Sequence, residues 1–491
     1  MRILCILIVA SSFCVGGANT QTIFDMSSYT TTVTIDTSNG TMSFGLGDSL
    51  LNTSPLHDHV AYDYVSGDIC MAYIKNNRFY FALSEDSSAT WEKIDLTNMI
   101  YRNHLSKISG TVLPFSITSY GVYFTSDSPV VWCTVTEYSG EVPVNAYTCY
   151  IRPPDNNWDM FSQRDFTIST TPIAIGQNYW WSGMILTDPD DFNHLLAYSY
   201  HPGGEEYGGN EALKAVHSYD SGDTWSDPMF IVQADPDSYF QRIESYVQDI
   251  IISEYEGMRL LPEGLLISGF VAQVDTTSGA PKNTRGILMS TDFGLTWEIN
   301  ILSYENPFMS GGQYILSEPV YSGDYFYDRE GNLNILTAQQ DTTDWAYLDG
   351  KDIYKSSIWQ FEQYHGSWTG TKIKNDLIME NTTWDLSIGA PGSQNEGYLF
   401  LTFLYKEDIS TGIHKKTDLS GNLLTRISTD YGDTWSLNLK ITDLQCNTLS
   451  SSYYFDNYMF GGFQNTQYAF DNEDFERVLI YEFSISSLFN T

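Results

Sequence analysis

His57, Asp58 and His59 stand together in a segment that reads as the start of a β-strand. Two histidines at i and i+2 of a strand point to the same side. A carboxylate beside such a pair supports general base chemistry, and the pair alone could ligate a metal. Four tryptophans are the other candidates: Trp180, Trp181, Trp345 and Trp384. Each suits stacking on the apolar face of a sugar ring, and each equally suits packing between sheets. Two acidic clusters, Asp188-Pro-Asp190-Asp191 and Asp471-Asn-Glu473-Asp474, read as solvated loops, with structural calcium as the alternative. No cofactor motif and no Cys/His metal-ligand spacing occurs, so neither a cofactor nor a metal site is expected.

A repeated turn must position these groups. Ser218-Tyr-Asp220-Ser-Gly222-Asp-Thr224-Trp225 recurs as Ser290-Thr-Asp292-Phe-Gly294-Leu-Thr296-Trp297 and as Ser428-Thr-Asp430-Tyr-Gly432-Asp-Thr434-Trp435. A fourth copy, Ser84 to Trp91, has Ser88 in place of the glycine. The Asp carboxylate can accept hydrogen bonds from the backbone of its own turn, and the glycine permits a positive φ. The tryptophan packs its ring against neighbouring sheets. These turns read as scaffold rather than as active site.

The tryptophans of the four turns, with Trp158 and Trp368 between them, form a series at 91, 158, 225, 297, 368 and 435. The pitch is about 67 to 72 residues, which suits four short strands per repeat and a β-propeller blade rather than a helical solenoid. The expected fold is all-β, a single propeller of four-stranded blades. The six repeats leave both ends of the chain over. Thr31 to Phe44 reads as a hairpin around Ser38-Asn39-Gly40, and Tyr453 to Phe483 holds two more strands. Together they make a seventh blade that closes the ring between the termini, six blades being the alternative count.

Residues 1–18 read as a secretory signal: Arg2, the apolar run Ile3 to Val9, and the small residues Gly16-Gly17-Ala18. Residues 19–491 are then the propeller, outside the cytosol, with no later run long enough to span a bilayer. Cys70, Cys133, Cys149 and Cys446 remain after cleavage, an even number that allows two disulfides. Cys133 and Cys149 fall on adjacent strands and are expected to pair, which leaves Cys70 with Cys446. Tyr (35), Phe (26) and Trp (12) are abundant, as strands prefer. The formal net charge of -37 excludes nucleic acid and anionic membrane surfaces as partners. A monomer is expected.

The repeated turn is the Asp-box, and with the C-terminal strands it resembles the sialidase (neuraminidase) superfamily of Asp-box, or BNR-repeat, propellers. The most specific match is Tyr458-Met-Phe-Gly-Gly462 followed by Val478-Leu-Ile-Tyr-Glu482. The resemblance implies Tyr458 as the nucleophile position and Glu254 as its partner. It also implies three arginines that grip the substrate carboxylate bidentately. Those are missing. The first falls on Leu56-His57-Asp58-His59, the second on Ser268-Gly269-Phe270, and the third on Ser420. The loop for the family's acid Asp is reduced to Asn76-Asn77, so that acid is missing too; Asp58, beside the histidine pair, is kept as a candidate catalytic carboxylate.

Loops on the propeller face opposite the boxes are expected to hold any site. There lie His57, Asp58, His59, Trp180, Trp181, Trp345, Trp384 and Tyr458. The sequence points to a secreted protein that recognises an extracellular glycan or glycoprotein without ordinary sialidase activity. The alternatives are an exo-acting hydrolase of sialidase type with a rearranged site, and a polysaccharide lyase using His57 to His59.

Overall fold

A computed structural model describes the chain in segments between Ile23 and Ser484. Residues 1–22, 44–58, 101–114, 153–166, 172–183, 202–211, 234–257, 406–420 and 485–491 are among those outside the description. The signal segment, His57, Asp58, Trp158, Trp180, Trp181, Glu254 and Asp471 to Asp474 therefore lie outside it.

The described structure is all-β apart from a 3-10 turn at Ser27–Tyr29 and a short helical stretch at residues 97–100 that follows unit I. Its strands form four-stranded antiparallel units in chain order. Unit I is Val60–Tyr62, Ile69–Lys75, Arg78–Ser84 and Glu92–Asp95. Unit II is Phe115–Phe124, Pro129–Ser139, Val142–Arg152 and Thr167–Thr171. Unit III is Met184–Thr187, Leu195–His201, Ala212–Ser218 and Met229–Gln233. Unit IV is Arg259–Leu260, Leu266–Val274, Lys282–Ser290 and Glu298–Ile301. Unit V is Gly323–Tyr327, Leu333–Leu348, Lys351–Tyr364 and Ser367–Ile378. Unit VI is Trp384–Ile388, Leu399–Tyr405, Gly421–Ser428 and Asn438–Cys446. Units V and VI join through the pair Leu377 and Tyr405, and Ile23–Asp25 adds to the outer edge of unit VI in parallel.

Unit VII is built from both ends of the chain. Thr448–Phe455, Tyr458–Gln467 and Phe475–Ser484 are followed at the outer edge by Thr30–Ser38, antiparallel to Phe475–Ser484. The expected N-terminal hairpin does not form within this unit. Its second arm, Met42–Ser43, pairs with Lys75 and Ile74 of unit I instead. The C-terminal segment already supplies three strands, so one edge alone was left to fill.

Apolar side chains alternate along these strands and meet between successive units, as a sheet with two packed faces requires. Phe81 and Leu83 of unit I pack with Val131 and Val135 of unit II. Val478 and Ile480 of unit VII pack with Val60 and Met71 of unit I. Leu479 and Tyr481 pack with Phe400 and Leu423 of unit VI. Phe326 and Leu336 of unit V meet Leu401 and Leu424 of unit VI, and Ile335 and Phe361 meet Ile267 and Ile287 of unit IV. Tyr198 of unit III reaches Ser268 of unit IV at 3.4 Å.

The four repeated turns share one set of hydrogen bonds to the aspartate. In each, the serine hydroxyl donates to Oδ1 of the aspartate, as Ser290 does to Asp292 at 2.8 Å. The threonine N–H donates to the same oxygen and its hydroxyl to Oδ2: 2.8 and 2.6 Å at Asp292, 2.7 and 2.6 Å at Asp86. Asp86 and Asp220 are held below the usual carboxylate range, chiefly by the threonine hydroxyl and then its N–H. The position after the central residue is left-handed: Gly294 has φ +84° and Gly432 +92°. Ser88 takes the same conformation at 73°, where its N–H still binds Ser84 Oγ at 2.9 Å. In unit V the turn is worn down to the link between Tyr364 and Ser367, which pair directly.

Cys133 stands opposite Cys149 across the ladder, but Cys133 is not in a disulfide, so the expected Cys133–Cys149 bridge is not made. Cys70 is a free, fully buried thiol, and burial pushes its pKa well up. The expected Cys70–Cys446 bridge is therefore not made. Cys70 lies inside the core of units I and II, whereas Cys446 ends the outer strand of unit VI.

Candidate functional site

The ladder of unit I continues one residue before its first strand, because the Ala72 N–H donates to His59 O at 2.9 Å. This fixes the His59 backbone. The imidazole is 4% exposed and meets the ring of Tyr120 edge-on, with centroids 4.7 Å apart and planes at 79°. Tyr120 lies on the first strand of unit II and is 1% exposed. Phe79 abuts its other side at 5.1 Å. The adjacent Gly121 leaves no space for a side chain, since a Cβ there would fall 2.6 Å from Trp132 Nε1. A titratable imidazole and a phenol are thus brought together between the first strands of neighbouring units. Sequence reasoning named His59 but missed Tyr120, whose one signal was a polar-tipped aromatic on a first strand.

The strand ladders also sort the remaining candidates. In unit I the turn after strand one and the box after strand three share an end, because Ile69 pairs with both Tyr62 and Ser84. Trp384 opens the first strand of unit VI, opposite Phe403 and away from the box end at Leu399 and Ser428. Trp345 lies near the turn between strands two and three of unit V, paired with Tyr354. Both stand at the end expected for a site. Tyr458 does not. It opens the second strand of unit VII and pairs with Ser484 at the end equivalent to a box. Glu482, on the same stretch, receives Ser88 Oγ of the first box at 3.4 Å.

Of the acidic clusters, Asp188 is described in full. Its carboxylate is engaged by an imidazole, His194 Nδ1 at 2.9 Å. Asp191 Oδ1 accepts the Asn193 N–H of the same turn at 3.1 Å. Among the described residues no group of three or more His, Cys, Asp or Glu side chains could hold a metal ion. Among them also, no helix is long and apolar enough to cross a membrane.

No protein-family model matches the chain, and no curated protein matches it either. Solved structures do. The polysaccharide lyase Uly1 superimposes with a TM-score of 0.50 at 9% identity, over 90% of this chain and 94% of that one. A PL25 ulvan lyase bound to -[GlcA(1-4)Rha3S]- gives 0.47 at 10% identity, covering 88% and 93%. Trypanosoma rangeli sialidase in complex with sialic acid gives 0.41 at 11% identity; it covers 95% of this chain, which spans 60% of that protein. The neighbours of this all-β fold thus include polysaccharide lyases and sialidases.

Proposed function

We propose that residues 19–491 form a secreted, seven-bladed β-propeller that binds an extracellular polysaccharide and cleaves it by β-elimination at His59 and Tyr120. Units I to VII would be the blades, with the N-terminal strand closing the ring and the repeated turns acting as Asp-boxes. The single observation that carries the chemistry is the imidazole of His59 set edge-on to the phenol of Tyr120 at 4.7 Å. The likeness to a polysaccharide lyase over nine-tenths of the chain supports the class of ligand. A neutral imidazole would take the proton α to a uronate carboxyl. The electron pair left on that carbon forms the new double bond as the glycosidic C–O bond breaks, and the Tyr120 hydroxyl gives its proton to the leaving oxygen. No water is consumed. Trp384 and Trp345, at the matching end of their units, would stack on sugar rings, with Trp180 and Trp181. Asp58 would orient the neighbouring histidines.

The second reading is recognition without chemistry. It is favoured by how little of the two rings is exposed, 4% for His59 and 1% for Tyr120. Sialoside hydrolysis by Tyr458 and Glu254 has the least support, with no arginine present at the three carboxylate-clamp positions.

Incubation of the mature protein with uronate-containing polysaccharides, followed by ultraviolet absorbance of the unsaturated product, tests the proposal. Product should form with the native chain and fall about 100-fold or more in His59→Ala and Tyr120→Phe. Saturable binding with no product would establish the second reading. Hydrolysis of an α-sialoside that is lost in Tyr458→Phe would overturn both.

A further inference from the structure

His194 and His217 are buried side by side at the box end of unit III, 6% and 5% exposed. His194 sits in the turn before Leu195, and His217 immediately precedes the box serine Ser218. All four ring nitrogens have a neighbour. His194 Nδ1 lies 2.9 Å from Asp188 Oδ2, and His194 Nε2 lies 2.9 Å from His217 Nδ1. His217 Nε2 lies 3.3 Å from the carbonyl of Gly294, in the box of unit IV. That carbonyl also accepts Trp297 Nε1 at 3.0 Å.

We infer that Asp188, His194 and His217 form a proton-holding relay that latches unit III to unit IV, and that losing its proton loosens this seam. The inference follows from counting hydrogens. A carbonyl only accepts, so His217 Nε2 must carry hydrogen. A neutral His217 then accepts at Nδ1, so His194 Nε2 must carry hydrogen too. The third gap, between His194 Nδ1 and Asp188, needs one hydrogen more, on the ring or on the carboxyl. Two neutral imidazoles beside a carboxylate have one hydrogen too few. The three contacts are complete only when the cluster holds that extra proton, and one gap is left without hydrogen when it goes.

The surroundings suit this device. Tyr219 stacks on His194 at 4.6 Å and 15°, and Phe293 of unit IV meets the same ring edge-on at 4.9 Å. Both keep solvent off the gaps. The other charged group acting on the pair is Asp292 of the unit IV box, whose charge acts on His217; on unit III itself the nearby Asp191 and Asp220 carboxylates are engaged by Asn193 and by Ser218 and Thr224. Burial, and then His194, hold His217 below the ordinary imidazole range. A second added proton would in any case set two N–H groups against each other. The seam is thus complete in an intermediate protonation state.

The sign of the linkage follows. Above the ordinary histidine range, near pH 6.5, the unfolded chain has released its imidazole protons while the folded relay requires one. The folded state then binds more protons, and stability falls as pH rises until the relay has let go.

Asp188→Asn separates this from ordinary packing. The amide N–H can donate to His194 Nδ1, so all three contacts are satisfied with no extra proton. Thermal unfolding of the native protein and of Asp188→Asn, from about pH 6 to about pH 9, is the test. The native midpoint should fall across that range by more than that of Asp188→Asn, the difference vanishing in a His194→Gln background. Parallel profiles would overturn the relay. If Asp188→Asn does not fold, imidazole NMR of the native protein decides. One titration step felt by both rings supports the relay, and independent steps or none overturn it.

Discussion

Asp36 Oδ2 accepts the hydroxyl of Tyr73 at 2.9 Å, while Asp36 Oδ1 takes Lys75 Nζ, also at 2.9 Å. Lys93 Nζ adds a third contact at 3.6 Å. Asp36 belongs to the N-terminal strand of unit VII, and its three partners belong to unit I, so this cluster pins the N-terminal strand. Burial raises the Asp36 pKa, but the bonds from Lys75, Tyr73 and the Thr37 N–H outweigh it, and the carboxyl titrates below its usual range. Its contribution is therefore present above about pH 4 and is lost as pH falls through the lowered value. Asp36→Asn should cost about 2 to 4 kcal/mol at neutral pH, because the amide keeps only one acceptor oxygen for Lys75 and Tyr73 and removes the charge that faces Lys75. Urea unfolding should also show a flatter acid limb in the variant.

Two glycines with nearly the same backbone angle should respond differently to alanine. Gly294 (φ +84°) and Gly331 (φ +81°) are both left-handed. A Cβ on Gly331 meets nothing within 4 Å, whereas one on Gly294 would lie 2.9 Å from Leu196 Cδ2. Gly331→Ala should cost only the backbone penalty, about 1 to 2 kcal/mol. Gly294→Ala should cost about 1 to 3 kcal/mol more, because unit III must shift away from the box. Equal costs measured by denaturant unfolding would mean that the seam between units III and IV is soft.

Glu482 offers a stabilising change. Burial raises its pKa, and the Ser88 hydroxyl only partly offsets this. A raised carboxyl pKa means that the charged form is disfavoured in the folded chain, so stability improves as pH falls through that value. Glu482→Gln should raise the unfolding midpoint at pH 7 and leave it nearly unchanged in acid. A fall at neutral pH would show that the charge has a partner in the native state.

The repeated turns were legible because their chemistry is local. Asp86, Asp220, Asp292 and Asp430 each close a turn with a threonine four residues on, and those residues appear in the sequence at that spacing. The pairing of the two chain ends was legible from the repeats left over. The destination of Met42–Ser43 was not, because two residues carry no pattern and either neighbouring edge could take them. The end of the sheet on which Tyr458 falls depends on counting Thr448–Phe455 as a strand, and its Ser-rich run disguised this. Tyr120 and the Asp188, His194 and His217 cluster were hidden for a different reason. Their partners lie on neighbouring units, 61 residues away for His59 and 77 for Gly294, and no spacing rule within one strand reaches that far.

Unit VII also sets the order in which the molecule can be finished. Among the described strands, Thr30–Ser38 is one of the first to be synthesised, and its ladder partner Phe475–Ser484 is the last of them. Joining them closes a loop that contains nearly the whole chain, and such non-local pairings form late and slowly. Until then the N-terminal strand has an open edge and no sheet of its own. A chain lacking Phe475–Ser484 would leave Thr30–Ser38 without its ladder partner, tethered to unit I through Asp36 and its contacts with Tyr73, Lys75 and Lys93.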